Sequence, residues 1–301
     1  MLNKRINSDN IDLSNNNNLS HEFFQINQNF DKMNIKEIEP TTKNINKNIF
    51  EEDLTIVIDE LVNHIFKEIN EGKDKDQTKK YILNYIDDNN MISQEIYNWL
   101  LNTQNDSNSI YLLGYFNYHG IGTDINEQKA IEIYKKAINF GSKLSYYDLA
   151  NIYMESNIED NYEKAFELSK KLAEKGYASG IHILGHCYNW GIGTNIDTQK
   201  AFKLFQEAAN LGNLNGMGNL ANYYYFGIKT NIDKQKAFEL YRKAANLGHH
   251  VAQYNLALIY ENGDVINKDM DQAIYWYKKS AEQGYKYAQV KLDEFSNENV
   301  V

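Results

Sequence analysis

Two histidines and the single cysteine are the residues whose types and spacing come closest to a chemical site. His182 and His186 are four residues apart, which would place two metal ligands on one side of a helix, and Cys187 follows directly. A zinc-protease helix needs glutamate after the first histidine, where this chain has Ile183, and no third ligand is adjacent. The sequence therefore predicts no metal site, and Cys187 is predicted to be a core thiol because the equivalent positions of the other repeats are apolar. A metal-dependent hydrolase that uses His182, His186 and Glu155 is the remote alternative.

Glycine-rich loops are the second feature that could carry chemistry. The sequence GIGT occurs at 120–123 and again at 191–194, but both loops are predicted to join two helices rather than a strand and a helix. A phosphate-binding loop would need the GxxxxGK[ST] pattern, and a serine hydrolase would need GxSxG; the sequence contains neither. We therefore predict glycine turns, no catalytic residues, no cofactor and no enzymatic activity.

Composition narrows the class of protein further. The chain has 301 residues, 42% of them hydrophobic, with 31 basic against 41 acidic side chains. Nucleic acid is not expected as a partner, because phosphate binding needs clustered positive charge. No apolar stretch is long enough to span a membrane, and the N-terminus lacks the apolar core of a secretory signal. Together with a single cysteine, these features predict a cytoplasmic protein without disulfides.

The first third of the sequence differs from the rest. Residues 1–50 contain thirteen asparagines and are predicted to be a disordered tail. Residues 51–108 hold thirteen acidic and five basic residues, so most of the negative charge lies there. Apolar spacing in this acidic segment predicts helices over 51–71, 78–86 and 93–100, with Gly72 ending the first and Ser93 capping the third.

From residue 109 onward the chain repeats itself at steps of 35 or 36 residues. Two patterns recur in each unit. The first is a leucine followed by a small residue, and the second is an alanine with a glycine eleven residues later. The repeated positions are Leu113-Gly114, Leu149, Leu184-Gly185, Leu220 and Leu256; Ala130, Ala165, Ala201, Ala237 and Ala273; and Gly141, Gly176, Gly212, Gly248 and Gly284.

Each unit is predicted to be a first helix, a loop, a second helix and a glycine stop. An Asx residue four positions before each alanine is predicted to cap the second helix: Asn126, Asn161, Asp197, Asp233 and Asp269. The units are 109–144, 145–179, 180–215, 216–251 and 252–287, followed by a capping helix over 288–297. Because one helical pair cannot bury its own apolar side, five stacked pairs predict an all-α solenoid over 109–301.

These residues resemble the Sel-one-like repeat, a relative of the tetratricopeptide repeat. Repeat three carries the pattern as Gly180, Leu184, Gly185, Gly191, Gly193, Asp197, Lys200, Ala201, Ala208, Ala209 and Gly212. The resemblance covers about residues 109–295. It implies a right-handed superhelix and a non-enzymatic adaptor or scaffold that assembles protein complexes in signalling or quality control. Some relatives also carry a protein-kinase domain, so a regulatory partner or relative of a repeat-bearing kinase is the alternative.

The first helix of each repeat is expected to line an inner, concave surface that is open to another chain. Three positions per repeat share one stripe of that helix: one before, two after and six after the marker leucine. The candidate peptide-binding residues on this stripe are Asn151, Glu155, His186, Trp190, Asn219, Asn222, Phe226 and Asn255. Asparagines can bond a peptide backbone and aromatics give flat apolar contact, so a protein or peptide partner is predicted. The sequence leaves open the partner, the pathway, the oligomeric state and the role of the acidic segment.

Overall fold

The computed structural model describes the backbone of residues 42–156 and 158–298, and side chains between residues 54 and 296. That part of the chain consists of fourteen α-helices without a β-strand. They are α1 Thr42–Glu71, α2 Lys75–Asp88, α3 Ser93–Asn102, α4 Ser107–His119, α5 Glu127–Asn139, α6 Lys143–Glu155, α7 Glu159–Glu174, α8 Ala178–Trp190, α9 Thr198–Asn210, α10 Leu214–Phe226, α11 Lys234–Asn246, α12 His250–Asn262, α13 Met270–Ala281 and α14 Lys286–Glu298. The all-α solenoid predicted from the repeat is confirmed.

The three helices expected in the acidic segment are present, with different ends. Helix α1 begins at Thr42, inside the segment predicted as a tail; residues 1–41 of that tail lie outside the described residues. Helix α2 begins at Lys75 because Asp74 caps it, its side chain accepting a hydrogen bond from the Asp76 amide. The prediction that Ser93 caps α3 is wrong: Ile92 occupies the cap position, and Ser93 is the first helical residue.

Ten helices form five pairs, in each of which we call the first the A helix and the second the B helix. The A helices are α4, α6, α8, α10 and α12, and the B helices are α5, α7, α9, α11 and α13. Four of the five predicted Asx caps accept a hydrogen bond from the third helical amide, namely Asn126, Asp197, Asp233 and Asp269. The prediction for Asn161 is wrong. The shorter loop of repeat two lets α7 begin earlier, at Glu159, so Asn161 lies inside the helix.

The marker residues make a continuous buried spine. All five leucines are buried, from Leu256 at 0% to Leu184 at 9% exposed, and the five repeat alanines are fully buried. Small residues four positions before each leucine let neighbouring pairs pack closely. A side chain at Gly180 would overlap Leu172 of the preceding B helix, and one at Gly216 would overlap Ala208. The repeat pattern therefore encodes packing between units as well as within them.

Glycines end the helices in the left-handed region, as the sequence predicts. The five glycines after the B helices have φ between 76° and 92°. In the loops between A and B helices, Gly193 has φ of 64°, and a side chain there would overlap the carbonyl of Tyr162 on the preceding B helix. Gly122 makes the equivalent approach to Ser93 of α3. Helix α3 thus occupies the place of a B helix before the first repeat, and it closes that end of the array.

Candidate functional site

The predicted peptide-binding residues lie on the side of the A helices that we call the A-helix face. The last residue of each A helix forms one row along it, here named the end row: His119, Glu155, Trp190, Phe226 and Asn262. Asn151, His186 and Asn222 are half-buried one turn earlier. The structure therefore brings the predicted stripe together, but the chain itself covers part of it.

Helix α1 crosses the amino ends of the A helices. Asn108, at the start of α4, donates to Asp59 Oδ1 (2.7 Å). Phe66 packs edge-on against Tyr177, just before α8, with ring centres 5.4 Å apart, and the Lys143 ammonium lies 3.5 Å from the centre of the Phe66 ring. These contacts anchor α1 to the first three repeats.

The turn between α1 and α2 continues along the same edge to the last repeats. Asn213 Nδ2 donates to the Asn70 carbonyl (3.0 Å) and Asn215 Nδ2 to the Gly72 carbonyl (3.1 Å). Asp74 lies 3.8 Å from His250 at the start of α12. Asn213 is fully occupied, because its side-chain oxygen also caps α10 at the Gly216 amide. The contacts of this turn with α10 and α12 are therefore polar and confined to their first turns.

Helix α2 folds back across the carboxyl ends of the first two A helices. Lys79 Nζ donates to the carbonyl oxygen of His119, the last residue of α4 (2.9 Å), and Lys75 lies 3.8 Å from Glu155, the last residue of α6. Buried Thr78 and Ile69 line a water-sized space against Tyr115 and Asp148. The expectation of an inner surface open along its whole length is wrong for repeat one, since α2 packs against Tyr115 and His119 there; in repeat two, Glu155 stays exposed.

Beyond α2, the A-helix face is uncovered and aromatic. Trp190 is 66% exposed and Phe226 is 63% exposed, at equivalent positions of successive repeats. His186 packs beside Trp190, with ring centres 6.3 Å apart, and its buried Nδ1 has no hydrogen-bond partner among the described residues. Two other predicted residues serve the fold: Asn222 accepts from the Tyr241 hydroxyl (2.5 Å), and Asn219 bonds His182 (3.0 Å).

Burial under α2 changes the electrostatics of the covered part. The pKa of the Asp148 carboxyl rises to about 6, chiefly because burial disfavours its charge, although nearby Lys75 and the Tyr111 hydroxyl (2.9 Å) oppose the shift. The pKa of His119 falls to about 4 through burial and the neighbouring Lys79 and Lys75. Burial thus shifts the protonation equilibria of Asp148 and His119 toward their neutral forms.

The histidine and cysteine cluster does not assemble a reactive centre. His182 is paired with Asn219, and burial lowers its pKa to about 3. Cys187 is fully buried beside Ser169 and Met154, and burial raises the pKa of its thiol to about 11. Within the described ranges, no three histidine, cysteine, aspartate or glutamate side chains are placed to hold a metal ion. The prediction of Cys187 as a core thiol is confirmed.

A comparison with protein-family models identifies segments that correspond to the five helical pairs. Five consecutive segments match the Sel1 repeat profile: 107–141, 143–177, 178–213, 215–249 and 250–285. These segments make up more than half of the sequence. The chain belongs to the Sel1 repeat family. Proteins with Sel1 repeats commonly act as protein-interaction scaffolds and are typically non-enzymatic.

Solved Sel1 repeat proteins share the architecture. The crystal structure of a Sel1 repeat protein from Oxalobacter formigenes matches with a TM-score of 0.58 and 25% identity, over 65% of this chain and 81% of that one. The protective antigen c5321 of uropathogenic Escherichia coli, described as having an SLR fold, matches with a TM-score of 0.52 and 29% identity. That match covers 73% of this chain and 48% of the antigen. No curated protein matches the sequence. None of the described helices is long and apolar enough to cross a membrane.

Proposed function

We propose that the protein is a non-enzymatic scaffold that binds a partner protein on the uncovered part of the A-helix face, around Trp190 and Phe226. The observation that carries the proposal is the exposure of these two large rings, 66% and 63%, at the same position of neighbouring repeats. Aromatic residues are enriched at protein interfaces, and tryptophan is among the residues that carry most of the binding energy there.

The repeat architecture supports the same proposal. Each Sel1 unit contacts mainly its neighbours, so the array presents an extended surface whose residues vary from unit to unit while the spine stays constant. Here the end row changes from His119, whose carbonyl is bound by Lys79 of α2, through the exposed Glu155 to the exposed rings of Trp190 and Phe226. A cytoplasmic location is part of the proposal. The kinase-linked signalling role stays a prediction from family resemblance.

Two matched double variants test the proposal in cells. Trp190→Ala with Phe226→Ala removes the uncovered aromatics, whereas Phe140→Ala with Leu211→Ala removes two apolar residues of similar exposure, 50% and 52%, that follow B helices. Partners recovered with the tagged full chain are compared by quantitative mass spectrometry.

We expect proteins that wild type and the Phe140/Leu211 variant both retain to be depleted at least about tenfold from the Trp190/Phe226 variant. Recovery of one unchanged set of partners by all three chains would contradict the proposal. Circular dichroism of each variant confirms that the helical fold is retained.

A further inference from the structure

We propose that a second copy of this chain binds, antiparallel, along the loops that join A and B helices in repeats two, three and four. This edge of the array, here named the loop edge, consists of Ile158, the loops 191–197 and 227–233, and the first turns of α7, α9 and α11. It borders the A-helix face and does not include the rings of Trp190 and Phe226, so the inference goes beyond the proposed function. An apolar row and a reversal of charge along the edge carry it.

A row of exposed isoleucines runs along the loop edge. Ile158, Ile196 and Ile232 precede the B helices of three successive repeats, and each is more than half exposed. The fold uses one side of two of them, because Cγ1 of Ile196 packs against Gly191 and Cγ1 of Ile232 against Gly227. Repeat two keeps an isoleucine although its loop is shorter and contains no glycine. Large apolar side chains exposed at successive repeats form the kind of patch that marks an interaction surface.

The charge of the loop edge reverses from repeat two to repeat four. Helix α7 begins with Glu159 and Asp160, which are both exposed. Helix α11 has Lys234 and Lys236 in its first turn, and the loop before it adds the exposed Lys229. Helix α9, between them, has no acidic residue in its first turn. The loop edge is therefore acidic on one side of repeat three and basic on the other.

Part of the positive charge in repeat four is free to bind another chain. Lys234 is paired with Asp264 (2.6 Å), and Lys236 lies over the Tyr224 ring, 4.2 Å from its centre. Within the described ranges, neither Lys236 nor Lys229 has an acidic ion-pair partner. Lys229 also has φ of 56°, in the left-handed region, at a position that is glycine in the loops of repeats one and three. A strained lysine that the fold itself does not use favours a role in binding.

A two-fold axis at repeat three satisfies both features of the loop edge. In a two-fold dimer the same patch of each copy is used, so the patch must be complementary to itself. With the axis at Ile196, Ile158 of one copy faces Ile232 of the other, and the acids that begin α7 face Lys229 and Lys236. A parallel pair would instead place like charges together. The three loops and the turns beside them offer about the 20–30 residues per partner that a stable interface uses.

Sedimentation velocity of the purified full chain tests self-association through this edge. Ile196→Asp places two carboxylates opposite each other at the axis. Ile125→Asp makes the same change at the equivalent position of repeat one, where Ile125 is also exposed and packs against Gly120. We expect wild type to dimerise, Ile196→Asp to weaken the dimer at least about tenfold, and Ile125→Asp not to weaken it.

A wild-type chain that stays monomeric up to about 100 µM would overturn the inference. So would a dimer that Ile196→Asp does not weaken, or that both variants weaken equally. A monomeric wild type whose recovered partners are lost with Ile196→Asp would assign the loop edge to a different protein, and would also overturn the inference. None of these results decides the proposed function, which depends on partner recovery with the Trp190/Phe226 variant.

Complementary charge reversals test the antiparallel arrangement. One variant, Glu159→Lys with Asp160→Lys, makes both sides of the edge basic, and the other, Lys229→Glu with Lys236→Glu, makes both acidic. Each variant alone should dimerise at least about tenfold more weakly than wild type. An equimolar mixture should recover dimers, because each contact in a mixed pair joins acid to lysine. A mixture that associates no more tightly than the separate variants, with circular dichroism showing all chains folded, would overturn the inference.

Discussion

At the scale of single residues, Asp148 is an acidic side chain that is buried where its charge is disfavoured. It occupies the position before the marker leucine, where repeat three has Ile183 and repeats four and five have Asn219 and Asn255. Packing beneath α2 raises the pKa of its carboxyl to about 6 from an ordinary value of 3.8. The groups around it are Tyr111 on α4, Lys75 on α2 and Glu155 on its own helix. A buried acid there costs stability whenever it is ionised.

We predict that Asp148→Asn stabilises the protein at neutral pH. The native carboxyl holds its proton more tightly than the unfolded one, so its contribution is complete below about pH 4 and is lost as the pH rises through about 6. Asparagine keeps an acceptor for the Tyr111 hydroxyl without the charge. Urea unfolding should show a gain of about 1–3 kcal/mol at pH 7. A gain of equal size at pH 4, or a loss at pH 7, would disprove this reading of Asp148.

The predictions for single residues succeeded where equivalent positions in the other repeats indicate whether a residue is buried. Cys187 was expected in the core because equivalent positions are apolar, and it is buried. The register failed where a loop changes length, as at Asn161, which the shorter loop places inside α7. The sequence pattern also does not predict that His249 caps α12 through its Nδ1, because histidine is not among the usual capping residues.

At the scale of elements, the loop between an A and a B helix fixes the spacing to the preceding unit. Gly193 lies so close to the Tyr162 carbonyl that a side chain would overlap it. Gly212 also has a positive φ, 89°, but nothing lies within 4 Å of where its side chain would be. Substitutions at these two glycines therefore distinguish the effect of backbone strain, present at both, from the effect of crowding between units, present only at Gly193.

We predict that Gly193→Ala destabilises the array more than Gly212→Ala. Both replacements force alanine into the left-handed region at about 1–2 kcal/mol, and only Gly193→Ala adds overlap with a neighbouring backbone, worth about 1–3 kcal/mol more. Denaturant unfolding of both variants measures the difference. Equal losses would mean that the loop can move away from α7 without cost.

The position of α1 and α2 is the element-scale feature that the sequence could not predict. Their helical character follows from local spacing, but their place on the A-helix face depends on contacts far apart in the chain, such as Asn70 with Asn213 and Lys79 with His119. These contacts join polar side chains to backbone groups, which leave no periodic signal. Repetition, by contrast, made the stacking of units 109–287 readable because the same spacing recurs five times.

At the scale of the whole molecule, the repeat array already holds one helix of its own. Helix α2 covers the end row at His119 in repeat one through Lys79, and the row continues exposed as Glu155, Trp190 and Phe226. The acidic segment thus has two structural roles: α3 closes the first repeat, and α1 with α2 divides the A-helix face. A partner bound next to α2 would extend an arrangement that the chain has begun.

The division of the A-helix face is tested most directly by thiol labelling of single cysteines along the end row. Cys187 is buried and its thiol pKa is raised to about 11, so the natural chain gives little background. His119→Cys, Trp190→Cys and Phe226→Cys are each labelled in the folded state, and each rate is divided by its rate in urea. We predict that positions 190 and 226 react at least about tenfold faster than position 119, which α2 protects. Equal rates at all three positions would show that α2 does not cover the face, and would contradict this account.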